Sequence, residues 1–262
     1  MTASAATNAA ARPVEAPEVL LEIRNLEKHF GGVHAVSNVS MDLRAGIVTT
    51  LVGPNGAGKT TLFNLITGHL VRSGGSLRWL GRDIAGMKPY RIARLGIART
   101  FQDLRLFNDM TVEENILTVM EPGALPFSLS GPSAREKRAK VEHVMERTDL
   151  IDKAHVRAID LAYAERKFLS LARIMAADAR LWLLDEPASG LDPNSYETFL
   201  RLLREEVAAG VTVCIIEHNL DIVVGISDRI AFLDRGRLLA DGEPKSVLEN
   251  PELTAIYFGD RA

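Results

Sequence analysis

"GPNGAGKTT", residues 53 to 61, follows directly on the apolar run Ile47 to Val52, and this junction decides the fold. The loop matches G-x-x-x-x-G-K-[ST] at Gly53, Gly58, Lys59 and Thr60, with Gly56 as an extra glycine inside it. Successive backbone N–H groups in such a turn point inward and form an anion nest at a helix N-terminus, where bulky side chains are unwelcome. A strand feeding the turn and a helix leaving it predict a phosphate site built from Gly53, Pro54, Asn55, Gly56, Ala57, Gly58, Lys59, Thr60 and Thr61. Lys59 is expected on the β- and γ-phosphates and the Thr60 hydroxyl on Mg²⁺. In the helix that opens at Gly58, Leu62, Leu65, Ile66 and Leu70 are expected on one face, anchoring the loop to a packed scaffold.

Outward from the loop, the chain reads as an α/β domain. Strand-like runs fall at 19–24, 35–43, 47–52, 76–80, 97–101, 181–184, 211–216 and 230–233, several followed by helical patterns. "FLDRGRLLADG" reads as a hairpin turning at Arg235-Gly236. Thr111 with Glu114 and Ser133 with Glu136 have capping-box spacing, and Asp192-Pro193 marks a further helix start that ends near Gly210. A helix from Ser133 to about Asp149 places Val141, Val144, Met145 and Thr148 on one side. From about 103 to 165 no strand-like run occurs, which predicts a helical insertion.

With 262 residues, 47% hydrophobic and 25% charged, the chain can bury the core of one large domain. A net charge of −3 lacks the basic excess of a dedicated nucleic-acid binder, so no nucleic-acid partner is expected. One cysteine, Cys214 in "VTVCIIE", excludes a disulfide framework and favours a reduced, cytosolic setting with the thiol as a small buried hydrophobe. No apolar stretch reaches the roughly 18 to 20 residues of a membrane span. The start "MTASAATNAAARPVEAPE" lacks signal-peptide features and is expected to be a disordered lead-in over residues 1–18, ahead of a domain over 19–262.

Two more strand ends carry polar groups. In "RLWLLDEP", residues 180 to 187, four apolar residues lead to adjacent carboxylates. Alone this is a buried strand and a solvated acidic turn. Coupled to a phosphate loop, Asp185 is suited to the Mg²⁺ shell and Glu186 to polarising a water for attack on the γ-phosphate. In "IIEHN", residues 215 to 219, His218 is a structural histidine by itself but reaches the same phosphate if these strands are neighbours.

The order "GPNGAGKTT", "RTFQD", "LWLLDEPASGLDP", "IIEHN" resembles the nucleotide-binding subunit of ABC transporters over residues 19 to 260. "FGGVHAVSNVS", "TFQDLRLFNDMTVEENI" and "NPELTAIYFGD" further resemble subunits serving importers of branched-chain amino acids and related polar solutes. The resemblance implies a P-loop NTPase domain with an antiparallel β subdomain and an inserted helical subdomain at about 103–165. It implies ATP and Mg²⁺ as ligands and ATP hydrolysis coupled to transport. Phe30 matches the aromatic that stacks on adenine, Gln102 the glutamine that meets Mg²⁺ and the attacking water, and Asp192 the aspartate that crosses between subunits. Implied partners are integral-membrane permease subunits that touch the insertion, a second ATPase subunit and a solute-binding protein. The implied location is cytoplasmic, peripheral on the inner face of the cell membrane.

One segment departs from the family pattern. The signature L-S-G-G-Q, close to L-S-Y-G-E-Q in this subfamily, closes over ATP held by the opposite subunit. Here it aligns with "LAYAERK", residues 161 to 167: Leu161, Tyr163 and Glu165 agree, Ala162 replaces serine, Ala164 replaces glycine and Arg166 replaces glutamine. A serine hydroxyl on phosphate is a charge-assisted bond worth about 1.5 to 3 kcal/mol, which Ala162 cannot make. The Ala164 methyl is expected to hinder close approach or to resist an unusual backbone angle. Alternatively both alanines are tolerated at a helix start. A weakened signature beside an intact loop predicts a heterodimer with unequal ATP sites. Two further alternatives are a soluble non-transport ABC ATPase, against which the chain lacks long coiled-coil inserts, and a regulatory nucleotide-binding subunit with little turnover. A guanine switch is disfavoured because no N-K-x-D motif occurs.

Overall fold

The structure is a computed structural model that describes residues 18–120 and 133–258. All of the expected lead-in except Glu18 lies outside the described residues.

Strands β1 (Val19–Phe30) and β2 (Val33–Arg44) form an antiparallel hairpin. β3 (Val48–Val52) runs into the glycine loop and α1 (Lys59–Ile66). β4 (Gly74–Trp79) and β5 (Arg82–Asp83) complete an antiparallel sheet of order β2-β1-β4-β5. After α2 (Pro89–Ala93) and β6 (Ile97–Arg99) come α3 (Val112–Met120), α4 (Ala134–Arg147) and α5 (Tyr163–Ala176). The chain returns through β7 (Leu181–Asp185), α6 (Pro193–Ala208), β8 (Thr212–Ile216), α7 (Leu220–Ile226), β9 (Arg229–Asp234), β10 (Arg237–Gly242), α8 (Pro244–Leu248) and α9 (Pro251–Phe258). The second sheet has the order β10-β9-β3-β8-β7-β6, parallel throughout except for the β9–β10 hairpin.

Every residue of β3, β7 and β8 is buried, as expected of parallel strands covered on both faces. Alternation along each strand divides the core. Val48, Trp182, Leu184, Val213 and Ile215 pack with Leu169 and Ala172 of α5, Leu202 and Leu203 of α6, and the buried side of α3 and α4. Leu51, Leu181, Leu183, Cys214 and Ile216 face the other way, onto Leu62, Phe63 and Ile66 of α1 and onto the antiparallel sheet through Leu21, Ile23 and Val39. Cys214 is fully buried, and desolvation pushes its thiol far above the ordinary range.

Local signals produced the expected caps. Ser133 and Glu136 make a reciprocal box at the start of α4. Thr111 and Glu114 do the same for α3. Asp192 accepts from the N–H groups of Asn194 and Ser195, and Pro193 sits in the first turn of α6. Arg235 and Gly236, both at positive φ (43° and 77°), turn the β9–β10 hairpin as two-residue turns of primed type require. In the described part of 103–165 the regular structure is α3, α4, two single 3₁₀ turns (Ile151–Lys153 and Ala158–Asp160) and the start of α5, joined by loops, with an isolated bridge between Thr111 and Arg157.

Two expectations need correction. Leu70 is not on the face of α1: that helix stops at Ile66, Thr67 caps it, and Gly68 at φ +71° turns the chain away. Leu70 still packs against the same core from the loop beyond. β1 and β2 are also longer than their apolar runs suggest. Pairing continues past those runs through register shifts near Asn25 (φ +47°) and Lys28.

Candidate nucleotide site

Parallel strands deliver their C-terminal ends to one edge, the place where open α/β sheets present ligand sites. Along that edge β3 ends in the glycine loop, β8 in Glu217 and His218, β7 in Asp185 and Glu186, and β6 in Arg99 and the 100–102 segment. These four strands are consecutive neighbours in the sheet, so groups from residues 53 to 218 meet without any long side chain reaching across.

The glycine loop is shaped by its protein neighbours. A Cβ on Gly53 would stand 2.0 Å from the Leu233 carbonyl oxygen of β9, and one on Gly58 would stand 2.3 Å from that of Ala35 in β2. Gly53 and Gly58 have φ of +146° and +100°, whereas Gly56 (φ +80°) opens to space. The Gly236 N–H donates to Ala57 O at 2.9 Å, tying the β9–β10 turn to the back of the loop. Lys59 Nζ donates to the carbonyls of Gly53 (2.6 Å) and Pro54 (3.0 Å), which curls the loop around its ammonium. Burial lowers the Lys59 pKa, offset by the negative charges of Glu186 and Asp185. Thr60 is exposed in the first turn of α1.

Asp185 is buried at the end of β7, and Arg99 Nη2 donates to its Oδ2 at 3.0 Å with both side chains about 95% covered. Arg99 also donates to Asn64 Oδ1 at 2.6 Å and lies over the rings of Phe63 and Phe101. Burial raises the Asp185 carboxyl, and the Arg99 contact opposes that rise. Among the described residues no group of three His, Cys, Asp or Glu side chains could cage a metal. The oxygens of Thr60 and Asp185 fit Mg²⁺ only as an ion that arrives on phosphate oxygens, the usual mode for this hydrated cation.

Glu186 stands at φ +48°, a left-handed conformation unusual for a side-chain-bearing residue and costly without support. Its N–H donates to Ile216 O at 3.0 Å, and Lys167 Nζ donates to its carbonyl at 2.8 Å. Its carboxylate receives Gln102 Nε2 at 3.4 Å and lies 3.7 Å from His218 Nδ1. The structure thus brings Gln102, Glu186 and His218 together in one cluster. Phe30 sits apart at the end of β1, 47% exposed, with Lys28 Nζ 4.8 Å from its ring centre. Its hairpin is held to the loop by the close approach of Ala35 to Gly58.

At "LAYAERK", Ala162 is the exposed N-cap of α5 and makes half of a capping box: its N–H donates to Glu165 Oε2 at 2.8 Å, but its methyl returns nothing. Ala164 lies in ordinary helix without a positive φ, so the expected backbone conflict does not arise. Arg166 Nη2 donates to Asn108 Oδ1 at 3.0 Å, joining α5 to the segment before α3. Beside them Phe107, Met110 and Ile159 are exposed on adjoining strips of backbone, linked by Ala158 N–H to Met110 O and Ile159 N–H to Asn108 O.

Sequence reasoning missed Arg99, Lys167 and Glu217. Arg99 interrupts a short apolar strand, and Lys167 shares a helical stripe with Leu171 and Ile174, so both carried the mark of a charge on a buried face. Glu217 follows five buried residues of β8 and is itself 1% exposed.

Comparison with known proteins is consistent across three lines. The family model described as "ABC transporter" matches residues 36–189. The chain is 38% identical to the high-affinity branched-chain amino acid transport ATP-binding proteins LivG of Salmonella typhimurium and BraF of Pseudomonas aeruginosa, over 92% of this chain and 98% of each relative. Among solved structures, the ADP conformation of MJ1267, an ATP-binding cassette of an ABC transporter, superposes with a TM-score of 0.82 at 32% identity, covering 93% of this chain and all of that one. CbiO1 from Clostridium perfringens, part of the ABC transporter complex cbiONQ, gives 0.77 at 27% identity over 90% and 92%.

Proposed function

The chain belongs to the ABC transporter family of ATPases, and from that premise we propose that it is the ATP-hydrolysing subunit of an importer for branched-chain amino acids or related polar solutes. The observation that carries this is the run of four adjacent strand ends bearing the loop, His218, the Asp185-Glu186 pair and Gln102. Lys59 and the loop N–H groups hold the β- and γ-phosphates; Thr60, Gln102 and Asp185 hold Mg²⁺. The ion, when bound with ATP, neutralises charge developing on the phosphate oxygens. Glu186 polarises the attacking water, Gln102 steadies that carboxylate and His218 contacts the γ-phosphate.

Phe30 stacks on adenine. Phe30→Ala is expected to weaken ATP binding by about 1–3 kcal/mol, roughly 5- to 150-fold in Kd, with turnover at saturating ATP retained. Titration with a fluorescent ATP analogue measures this; an unchanged Kd removes Phe30 from the site.

Permease subunits are the membrane partners, with a solute-binding protein completing the complex, and the chain works at the inner face of the membrane. Exposed Phe107, Met110 and Ile159 offer an apolar seat for a short permease helix. Among the described residues no helix is long and apolar enough to cross a membrane, which suits an attached rather than a spanning subunit. Uptake of labelled leucine, isoleucine and valine by cells lacking the gene tests the transport role. Wild type should restore uptake and Glu186→Gln should not; full uptake without the gene overturns the reading.

The alanines of the signature segment favour a heterodimer with unequal sites. The chain alone should then bind ATP and hydrolyse it slowly, and Ala162→Ser with Ala164→Gly should raise turnover by roughly 10-fold or more, the worth of one restored charge-assisted bond. Brisk wild-type hydrolysis that the double substitution leaves unchanged contradicts this.

A further inference from the structure

The turn at residues 186 to 188 is gripped from two sides by charged groups outside it. Lys167 Nζ, reaching in from the first turns of α5, donates to Glu186 O at 2.8 Å and to Pro187 O at 3.1 Å. One helical turn earlier, the Tyr163 ring lies 5.4 Å from the same ammonium. That ring also packs on Gly190, where an added Cβ would approach it to 2.9 Å. From β8, the buried Glu217 carboxylate accepts the N–H groups of Ala188 and His218, each at 3.3 Å. Lys167 therefore holds the acceptor side of the turn, and Glu217 holds its donor side together with the His218 backbone.

A left-handed glutamate persists only where its surroundings over-determine it, and here the supports are the Ile216 carbonyl and the Lys167 ammonium. We propose that Lys167 and Glu217 are positioning residues for ATP hydrolysis, a brace that sets Glu186 and His218 relative to each other. The inference rests on the assignment of those two residues given above.

Lys167→Met keeps the aliphatic stem and removes the donor. In the assembled transporter it is expected to lower kcat by roughly 10- to 100-fold, as sub-ångström misplacement does, with KM for ATP within about threefold. In the purified chain, amide exchange over 186–190 and at 218 should quicken by about 10-fold or more, while the 59–66 helix stays protected. Lys167→Arg, which retains donors, should recover most of the turnover. Glu217→Gln keeps an acceptor oxygen and should give a smaller loss of the same kind; it carries the test if Lys167→Met does not fold. Unchanged exchange at 186–190, a loss confined to KM, or failure of arginine to rescue overturns the brace. Turnover surviving in Glu186→Gln overturns the assignment of the base instead, and exchange still decides the brace.

Discussion

Glu186→Gln is expected to cut ATP turnover by roughly 10²- to 10⁴-fold, the usual worth of a positioned general base, with ATP affinity within about threefold. Two features make this a clean substitution. The ties that hold residue 186 in its left-handed conformation, Glu186 N–H to Ile216 O and Lys167 Nζ to Glu186 O, belong to the backbone and survive it. The glycine loop, to which the nucleotide grip is assigned above, lies two strands away with β8 between. An amide at this position cannot draw a proton from water, yet it fills the same space between Gln102 and His218. Phosphate release under saturating ATP, set beside nucleotide binding for the same preparation, measures both halves. A variant keeping more than about a tenth of wild-type turnover would move the base elsewhere, and His218 would be next to examine.

Arg99→Met should destabilise the fold by about 3–5 kcal/mol, because it strands the Asp185 carboxylate in a buried place without its counter-charge. Their side chains are 4% and 5% exposed, so water can substitute for little of the lost contact. Asn64 also loses its donor, and the rings of Phe63 and Phe101 lose the cation between them. The cost belongs to the unpaired charge more than to the bond itself. Accordingly Arg99→Met combined with Asp185→Asn should regain a large part of the stability, since replacing both members of a buried pair is often near neutral. Urea unfolding followed by circular dichroism measures the change from midpoint and slope. A loss under about 1 kcal/mol for the single variant would show that Asp185 has another counter-charge, and Lys59, whose ammonium also acts on it, would be the first suspect.

The portion of the site written in consecutive residues was legible beforehand. The glycine loop, "LLDE" and "IIEHN" each place a strand and its polar end in one short string, and the parallel sheet brings those ends side by side. Contacts that depend on tertiary placement were not. Arg99 stands out as a charge in an apolar run, but its partners show only once β6 is seen beside β7 with Phe63 and Phe101 beneath the guanidinium. Lys167 could be suspected from its place on an apolar stripe, but its target, two carbonyls beyond the end of another strand, is invisible in helix periodicity. The length of β1 escaped for a different reason: after Arg24 the stretch "NLEKH" has no branched-residue run, and pairing continues there through register shifts near Asn25 and Lys28.

The place of β8 has a bearing on how the protein is made. It is the last of the four site strands to leave the ribosome, yet it lies between two that emerge earlier, β3 and β7. Until residues 212–216 insert, those strands have no common neighbour, and the loop, the carboxylates and the histidine stay scattered over chain whose pairing is slow because it is non-local. The strand ends that form the site therefore come side by side only after most of the chain exists. Completion of the site is thus a late event of synthesis, and any ligand that binds only the completed site favours finished molecules over partial ones.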